Sequence, residues 1–407
     1  MANNNNNKIL NVPNLRFPEF TGEWKRTKIS DLLEFFSTNS LSWEQLDYEN
    51  GKIRNLHYGL IHKGLPTMVD LSKETLPFVK GEAPRNYTIC KDGDVAFADA
   101  SEDTNDVAKA IEFINCNNED VICGLHSIHG RDKTKSTIVG YKGYAFASFA
   151  FHKQIRRITQ GTKIYSISTK NFNETYVGVP SIEEQTKIAR LLFLIDERIS
   201  TQNKIIEDFK KLMSAIIDLF YTTGNQCCKL SDLIIQTSER NNGKTNNAVL
   251  SVSNKNGFVL QNELFEDRII ASDDTSNYKI VQLNDFAYNP ARINVGSIAR
   301  LSEYNEGIVS PMYICFKTNK LVLSEFLEQF FKTRYFYQEM IKRLEGSVRL
   351  CLSYESLCDI SMPLLSIETQ NKIQKRINTI LSKINIETCV LKNLELEKSF
   401  LLQQMFI

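Results

Sequence analysis

Two heptad-patterned stretches of the chain match one another, and this match constrains the fold more than any other feature. In each stretch, apolar residues alternate in steps of four and three, the spacing of a helix that buries one stripe against another helix. The first stripe contains Ile188, Leu192, Ile195 and Ile199. The second stripe, 185 positions later, contains Ile373, Ile377, Ile380 and Ile384. The next stripe position is polar in both copies, Gln202 in the first and Glu387 in the second.

This agreement in register predicts an internal duplication. A heptad stripe alone fits ordinary core packing, whereas two stripes with one offset and one shared polar position are not expected of unrelated helices. Copies related by a pseudo-twofold axis would pack antiparallel, and this packing would bring Gln202 close to Glu387. Polar residues at such seam positions fix the register of a helix pair at some cost in stability.

A short motif precedes each of the two stripes. Residues 181–185 read Ser-Ile-Glu-Glu-Gln, and residues 366–370 read Ser-Ile-Glu-Thr-Gln. Ser181 and Glu184 fit a capping box, in which a hydroxyl and a carboxylate each bond an unpaired amide of the first helical turn. The motif, repeated ahead of two long helices, resembles the specificity subunit of type I restriction–modification systems. Further segments that resemble this family are residues 15–20, 22–24, 124–126 and 288–292.

The resemblance covers the chain from about residue 14 and implies an α+β fold. Two target-recognition domains of mixed α/β structure would be separated by two long antiparallel helices that form a coiled coil. The expected organisation is a disordered Asn-rich tail at 1–13, a first recognition domain at 14–180, a central long helix at 181–222, a second recognition domain at 223–365 and a C-terminal long helix at 366–407.

The resemblance also implies a function. The chain would read a bipartite, asymmetric site in double-stranded DNA and direct adenine methyltransferase and restriction subunits to it. The implied partners are two modification subunits, one for each half of the chain, together with restriction subunits. Two alternatives remain open: a coiled-coil scaffold or adaptor that binds only protein, and the recognition subunit of another bipartite restriction system.

Composition is compatible with two globular domains. The 407 residues are 42% hydrophobic and 24% charged, which is ordinary for folded proteins. The net charge of +1 neither supports nor excludes DNA binding, because phosphate contacts need only a local positive potential. The sequence has no apolar run long enough for a membrane span and no secretion signal at its start. Nine scattered cysteines without a Cys-x-x-Cys pair predict reduced thiols in the cytoplasm, with no metal site and no cofactor.

The sequence also predicts a chain without catalytic activity of its own. Asn289 and Pro290 resemble the start of the Asn-Pro-Pro-Tyr site of adenine methyltransferases, where the Asn orients a flipped base. Ala291 and Arg292 stand where the second Pro and the stacking aromatic residue belong. No Gly-rich cofactor loop follows a predicted strand.

Candidate DNA contacts in the first half lie in two basic segments. Lys52, Arg54 and His57 alternate with apolar residues, as in a strand or loop that presents polar tips to base edges. A solvated hairpin explains this pattern equally well. Arg131 and Lys133 belong to the most basic short segment of this half, which is either a solvated loop or, in a DNA-reading domain, a phosphate-contacting loop.

Candidate contacts in the second half are Asn254, Lys255, Arg292 and Arg300. Asn254 and Lys255 lie in a polar loop between apolar runs, although the Asn-Gly pair that follows them also marks an ordinary turn. Arg292 and Arg300 surround a glycine and form the counterpart of the basic segment in the first half.

A second apolar stripe flanks the predicted seam of the first helix. Its members are Leu191, Ile205, Leu212 and Leu219. A two-helix coil cannot bury this flank by itself, so either a partner protein or the recognition domains must cover it. We interpret it as the docking site of a modification subunit.

Overall fold

A computed structural model describes residues 11–116, 119–222, 227–242, 248–254, 256–261, 274–347 and 349–407. The chain divides into two compact units. Unit 1 comprises Met1–Asn203 and Cys389–Ile407, and unit 2 comprises Lys204–Thr388. Each unit therefore combines one predicted recognition domain with a part of both long helices.

The described part of unit 1 contains strands β1 to β13, five short α-helices and a 3-10 helix at Trp43–Gln45. The strands are β1 (Lys25–Lys28), β2 (Leu33–Phe36), β3 (Leu46–Asp47), β4 (Arg54–Leu56), β5 (Met68–Asp70), β6 (Phe78–Val79), β7 (Val95–Ala98), β8 (Ala100–Ser101), β9 (Ala110–Ile114), β10 (Val121–Cys123), β11 (Ser127–Asp132), β12 (Tyr165–Ser166) and β13 (Tyr176–Val179). The helices are α1 (Ile29–Leu32), α2 (Tyr58–His62), α3 (Lys142–Ala147), α4 (Phe149–Ile158) and α5 (Thr169–Phe172).

The described part of unit 2 contains the following strands and short helices. The strands are β14 (Cys227–Lys229), β15 (Ile234–Thr237), β16 (Val249–Ser253), β17 (Gly257–Leu260), β18 (Lys279–Gln282), β19 (Phe286–Tyr288), β20 (Ile298–Arg300), β21 (Glu306–Val309), β22 (Ile314–Thr318) and β23 (Ser361–Pro363). The long helix α6 (Ile182–Thr222) leads into this unit from unit 1. The short helices are α7 (Ser324–Phe330), α8 (Arg334–Lys342) and α9 (Tyr354–Cys358), and α10 (Ile367–Gln404) is the second long helix.

The two units repeat one sheet topology. The main sheet of unit 1 has the order β2-β11-β7-β9-β5, and the corresponding sheet of unit 2 has the order β15-β22-β19-β20. The registers also agree. Phe36, the last residue of β2, lies opposite His129 of β11, and Thr237, the last residue of β15, lies opposite Cys315 of β22. In both units a two-stranded antiparallel pair, β1-β13 or β14-β23, stands just before the long helix. The duplication predicted from the helices thus extends to the sheets.

Each long helix contributes one end to the apolar core of unit 1 and its other end to the apolar core of unit 2. In unit 1, Ile188, Leu192 and Ile195 of α6 share an apolar core with Leu401 near the end of α10. In unit 2, the end of α6 shares a core with the beginning of α10. The residues of this second contact are Ile217 and Tyr221 of α6 and Ile373 and Ile377 of α10. This is the packing of antiparallel helices, and it confirms the predicted fold class.

The remaining seam positions are less uniformly covered. Ile384 and Gln202 are buried, whereas Ile199, Ile380 and Glu387 are half-buried. The expected proximity of Gln202 and Glu387 remains a prediction.

At the end of α6, the buried positions depart from the heptad pattern. The heptad spacing predicts Ile216 and Phe220 as seam residues, but Ile217 and Tyr221 are the buried ones. Tyr221 packs against the ring of Phe326 with a centroid distance of 4.8 Å. The helix here packs against the domain core rather than a single helix, and an α-helix drifts from a strict seven-residue repeat.

A second polar residue in the seam of α10 has a local explanation. Lys398 lies among apolar seam positions, and its Nζ pairs with an Asp196 carboxylate oxygen at 2.6 Å. The hydroxyl of Tyr144 donates to the other oxygen of Asp196 at 2.9 Å. The half-buried side chain of Lys398 therefore has a charged partner within unit 1.

A buried glutamine joins the start of α6 to the rest of unit 1. The Nε2 of Gln185 donates to the carbonyls of Ser136 and Pro180, at 3.0 and 2.9 Å. Its Oε1 accepts from the amide of Ile138 at 3.0 Å. Gln185 has no exposed surface, so all of its polar atoms depend on these partners.

Gln370 does the same at the start of α10 in unit 2. Its Nε2 donates to the carbonyls of Leu321 and Leu365, at 2.9 and 2.8 Å, and its Oε1 accepts from the amide of Leu323 at 2.8 Å. Every partner lies 185 positions after its counterpart in unit 1. The Gln of the Ser-Ile-Glu-x-Gln motif therefore links the long helix by hydrogen bonds to the end of the preceding strand and to a loop of the recognition domain.

Two details differ from the sequence-based expectations. Ser181 accepts from the amide of Glu184 as a cap should, but the carboxylate of Glu184 pairs with both Nε and Nη2 of Arg16 at 2.7 Å, so the capping box is only half formed. Residues 1–10 of the expected disordered tail at 1–13 lie outside the described residues. Residues 11–13, however, are ordered, because the carbonyl of Asn11 accepts from the amide of Trp24 at 2.7 Å.

Replacing either buried glutamine should destabilise its own unit. Gln185→Ala and Gln370→Ala each leave three backbone groups without partners, and we expect the free energy of unfolding to fall by roughly 3–5 kcal/mol. The exposed Gln338 on α8 provides the matched control, because Gln338→Ala should change stability by less than about 0.5 kcal/mol. Chemical denaturation of the full chain measures the difference. Equal stabilities of the Gln185, Gln370 and Gln338 variants would contradict the assigned role.

Candidate nucleic-acid interface

Arg131, one of the predicted DNA contacts, is held inside unit 1 by a buried carboxylate. Its Nε and Nη2 donate to the two oxygens of Asp94, each at 2.7 Å, and its guanidinium stacks over the ring of Phe36. The Nε2 of His129 lies 2.8 Å from Asp94 on the other side. Burial alone raises the pKa of Asp94, but the hydrogen bonds from His129 and Arg131 outweigh it and lower the pKa below its usual value. The charge of Arg131 is therefore already balanced by an ionised carboxylate.

Asp94 also forms the turn that precedes β7. It accepts from the amide of Lys91 at 2.9 Å, and Asp285 of unit 2 accepts from the amide of Gln282 at 3.0 Å. The two aspartates differ in their environment, because burial raises the pKa of Asp285. The turn is common to both units, and the paired cluster with Arg131 belongs to unit 1.

Arg54 and His57 are also occupied by contacts within unit 1. The guanidinium of Arg54 forms an ion pair with Glu119 and lies over the ring of Phe78. His57 is the N-cap of α2, where its Nδ1 accepts from the amide of Gly59 at 3.1 Å. Burial lowers the pKa of His57, so its neutral, capping form is favoured.

Lys52 and Lys133 are the exposed members of the set predicted for unit 1. The Nζ of Lys133 donates to the carbonyl of Ser30 at 2.7 Å, which leaves two of its three donor hydrogens for other acceptors. Lys52 makes no ion pair with any residue in the described part of the chain. Both lysines can therefore offer positive charge to a phosphate.

In unit 2 the predicted residues are partly brought together. Asn254 and Arg300 line one cavity of about 480 Å³. Arg300 is nevertheless paired, since its Nε donates to Glu328 at 2.9 Å and its Nη1 to Asn284 at 2.6 Å. Asn254 is exposed. Lys255, which was predicted beside it, lies outside the described residues.

Arg292 is exposed just before a short 3-10 helix, Ile293–Val295. Among the residues that the structure describes, its side chain has no acidic partner. Of the two arginines predicted in unit 2, Arg292 is therefore the one whose charge is not balanced by a described acidic residue.

Two exposed groups of unit 1 were missed by the sequence analysis. Arg85 and Tyr87 line a shallow open cavity of about 580 Å³ beside Phe36. Lys63 lies over the half-exposed ring of Trp43, with its Nζ 5.4 Å from the ring centroid. Basic and aromatic side chains of this kind stack on bases and contact phosphates. The signal in the sequence was the mixture of Arg, Asn and Tyr in a Gly- and Pro-containing loop.

The predicted docking stripe on α6 separates into two parts. Leu191 is half-buried against the core of unit 1, so internal packing covers it. Ile205, Leu212 and Leu219, which belong to unit 2, are 37%, 48% and 57% exposed. The apolar surface offered to a partner is therefore this second part of the stripe.

A cluster of potential metal ligands forms where the cysteine spacing predicted none. Cys90, Cys123 and His129 are buried, and their ligand atoms lie within 4.8 Å of one another. The fold brings them together from two strands and a segment beside them, so a search for closely spaced cysteines could not find them. The described residues contain no helix that is both long and apolar enough to cross a bilayer.

Comparison with known proteins identifies the first half of the chain. Residues 21–211 match the family model of the type I restriction modification DNA specificity domain. No curated protein matches the chain in sequence. The segment covered includes all of the sheets of unit 1 and most of α6.

Solved structures extend the likeness of fold to nearly the whole chain. The S subunit of a type I restriction–modification system from M. genitalium aligns with a TM-score of 0.54 at 15% identity, over 97% of this chain and 99% of that chain. A chain from a study of complex assembly and conformational transition in the type I R-M system aligns with a TM-score of 0.55 at 12% identity, over 93% of this chain and 96% of that chain.

The fold is therefore that of the solved S subunit, with domains of mixed α/β structure and two long helices. The match to the type I restriction modification DNA specificity domain extends over residues 21–211, a little under half of this chain. This finding confirms the resemblance that the repeated motif carries in the sequence.

Proposed function

We propose that this chain is the sequence-specific DNA-recognition subunit of a type I restriction–modification complex. The observation that carries the proposal is the match of residues 21–211 to a DNA specificity domain. The sheet order and the buried glutamine at the start of the long helix recur in unit 2, which supports a second unit of the same kind. A protein that contains two related reading units can read two half-sites. The chain itself is non-catalytic in this proposal, and it brings methyltransferase and restriction subunits to the site in the cytoplasm.

The half-sites differ in this proposal because the two units differ in their polar surface. Lys52 and Lys133 contact DNA from unit 1, and Asn254 and Arg292 contact DNA from unit 2. These are the predicted residues whose side chains are exposed. Arg54, Arg131 and Arg300 support the surface from inside, because their charges are balanced by acidic neighbours.

Binding to duplex DNA separates this proposal from a protein-only scaffold. We expect the chain, purified with its methyltransferase, to bind random duplex DNA with an affinity that falls steeply as salt rises, because bound phosphates release counterions. Lys52→Ala should weaken binding at every sequence and lower the salt slope by about one, as the loss of a phosphate contact does. Fluorescence anisotropy at several salt concentrations measures both quantities.

The internal arginine Arg131 provides the matched comparison. Arg131→Ala should lower the free energy of unfolding by about 2–3 kcal/mol, since it leaves a buried carboxylate short of a donor, whereas Lys52→Ala should change it by less than about 0.5 kcal/mol. A complex that does not bind DNA at low salt would favour the scaffold. Normal stability with lost binding in Arg131→Ala would return that residue to the interface.

The exposed stripe of α6 is proposed as a docking site for a modification subunit. Ile205→Glu combined with Leu212→Glu should abolish co-purification of the methyltransferase, because two carboxylates would be buried in an apolar interface. Ser214→Glu combined with Ala215→Glu adds the same charge at exposed positions and should leave assembly intact. Affinity purification with a tag on the methyltransferase gives the readout. Full assembly of the Ile205 and Leu212 double variant would assign the stripe to another role.

A further inference from the structure

Three side chains that the proposed DNA surface does not use converge inside unit 1. Cys90 lies in the segment beside β10, Cys123 is the last residue of β10, and His129 is in the middle of β11. All three are buried, and their ligand atoms lie within 4.8 Å of one another. Cys90 and Cys123 belong to the second apolar cluster of the unit, so water does not surround this group.

The histidine is oriented as a metal ligand is. Its Nε2 lies 2.8 Å from a carboxylate oxygen of Asp94, and Asp94 is held in place by Nε and Nη2 of Arg131. Metal-binding histidines commonly donate their second ring nitrogen to a carboxylate, which fixes the ring and its tautomer. The other nitrogen, Nδ1, is buried and has no hydrogen-bond partner among the residues that the structure describes. A buried polar atom of this kind requires a partner.

The two sulfur atoms have a separation that suits a shared ion. The Sγ atoms of Cys90 and Cys123 are 3.6 Å apart. Two thiolates on one tetrahedral zinc ion, each at about 2.3 Å, are separated by about 3.8 Å. Two thiolates and a neutral imidazole also balance the charge of a divalent cation, so the loaded site carries no net charge into the apolar core.

We propose that Cys90, Cys123 and Nδ1 of His129 bind one zinc ion, with Asp94 as the carboxylate that orients the histidine. Soft thiolate ligands combined with imidazole select zinc over magnesium or calcium. The ion joins β11 to β10 and its neighbouring segment, and its role is structural. Three protein ligands leave one position of a tetrahedral ion for water or a further thiol. Cys116 is half-buried and packs against the same apolar cluster. Its thiol is therefore a described thiol of unit 1 that adjoins this core.

Metal content of the intact complex tests the assignment. The full chain, co-purified with its methyltransferase through a tag without histidines and in buffers without chelators, should contain about one zinc ion per chain by mass spectrometry of the elements. Cys90→Ser and Cys123→Ser should each reduce the zinc content at least several-fold. Cys315→Ser is the matched control, because this buried cysteine of β22 occupies the place in unit 2 that His129 occupies in unit 1, and it should retain the ion. Substoichiometric zinc in the wild-type chain, or the same content in Cys123→Ser, would overturn the proposal.

A spectroscopic measurement on the unchanged chain does not depend on how well the variants fold. After zinc is removed with a chelator, added Co²⁺ should produce the visible bands of a tetrahedral ion and a thiolate charge-transfer band in the near ultraviolet. The thermal midpoint of unit 1 should fall on zinc removal and recover on zinc addition. Co²⁺ that shows only the weak absorption of the hydrated ion, with an unchanged thermal midpoint, would also overturn the site. DNA binding by a zinc-free chain would leave the proposed function standing, so the two proposals can fail separately.

Discussion

The buried glutamine at the start of each long helix is the contact on which the rest of the structure depends. Gln185 and Gln370 each use one side-chain amide to bond three backbone groups, two on the domain side and one just before the helix. Because the amide is fully buried in both units, the loop, the strand end and the first helical turn must keep one arrangement. The first turn of each long helix is therefore bonded to its own domain, and the same contact occurs in both copies.

Around this shared frame the two units have diverged in their charged residues. In unit 1, the aspartate of the turn before the central strand is buried with Arg131 and His129, and its pKa is lowered. In unit 2, burial raises the pKa of the matching Asp285, and the positive charge of the exposed Lys317 offsets this effect only in part. The turn geometry is kept while the partners change. This is the expected behaviour of a duplicated domain whose framework is constrained and whose surface is free to change.

Most of the fold could be predicted from the sequence because local residue patterns specify it. Each heptad stripe and each Ser-Ile-Glu-x-Gln motif is recognised within a short stretch of sequence, and comparison of the two copies gives the offset of 185 positions. The candidate DNA contacts were harder to predict because the partners of their side chains lie far away in the chain. Arg54, Arg131 and Arg300 look like free basic groups until Glu119, Asp94 and Glu328 are placed beside them by the sheets. The cluster of Cys90, Cys123 and His129 was hidden for the same reason.

Sequencing of methylated bases tests the central claim, that two related units read two different half-sites. The measurement uses genomic DNA from cells that express this chain with its methyltransferase. The account predicts a bipartite motif, with two unlike half-sites separated by bases of any identity, and it predicts that Arg292→Ala relaxes or abolishes recognition in only one of the two halves. A single contiguous motif, or a motif whose two halves both change with Arg292, would contradict it.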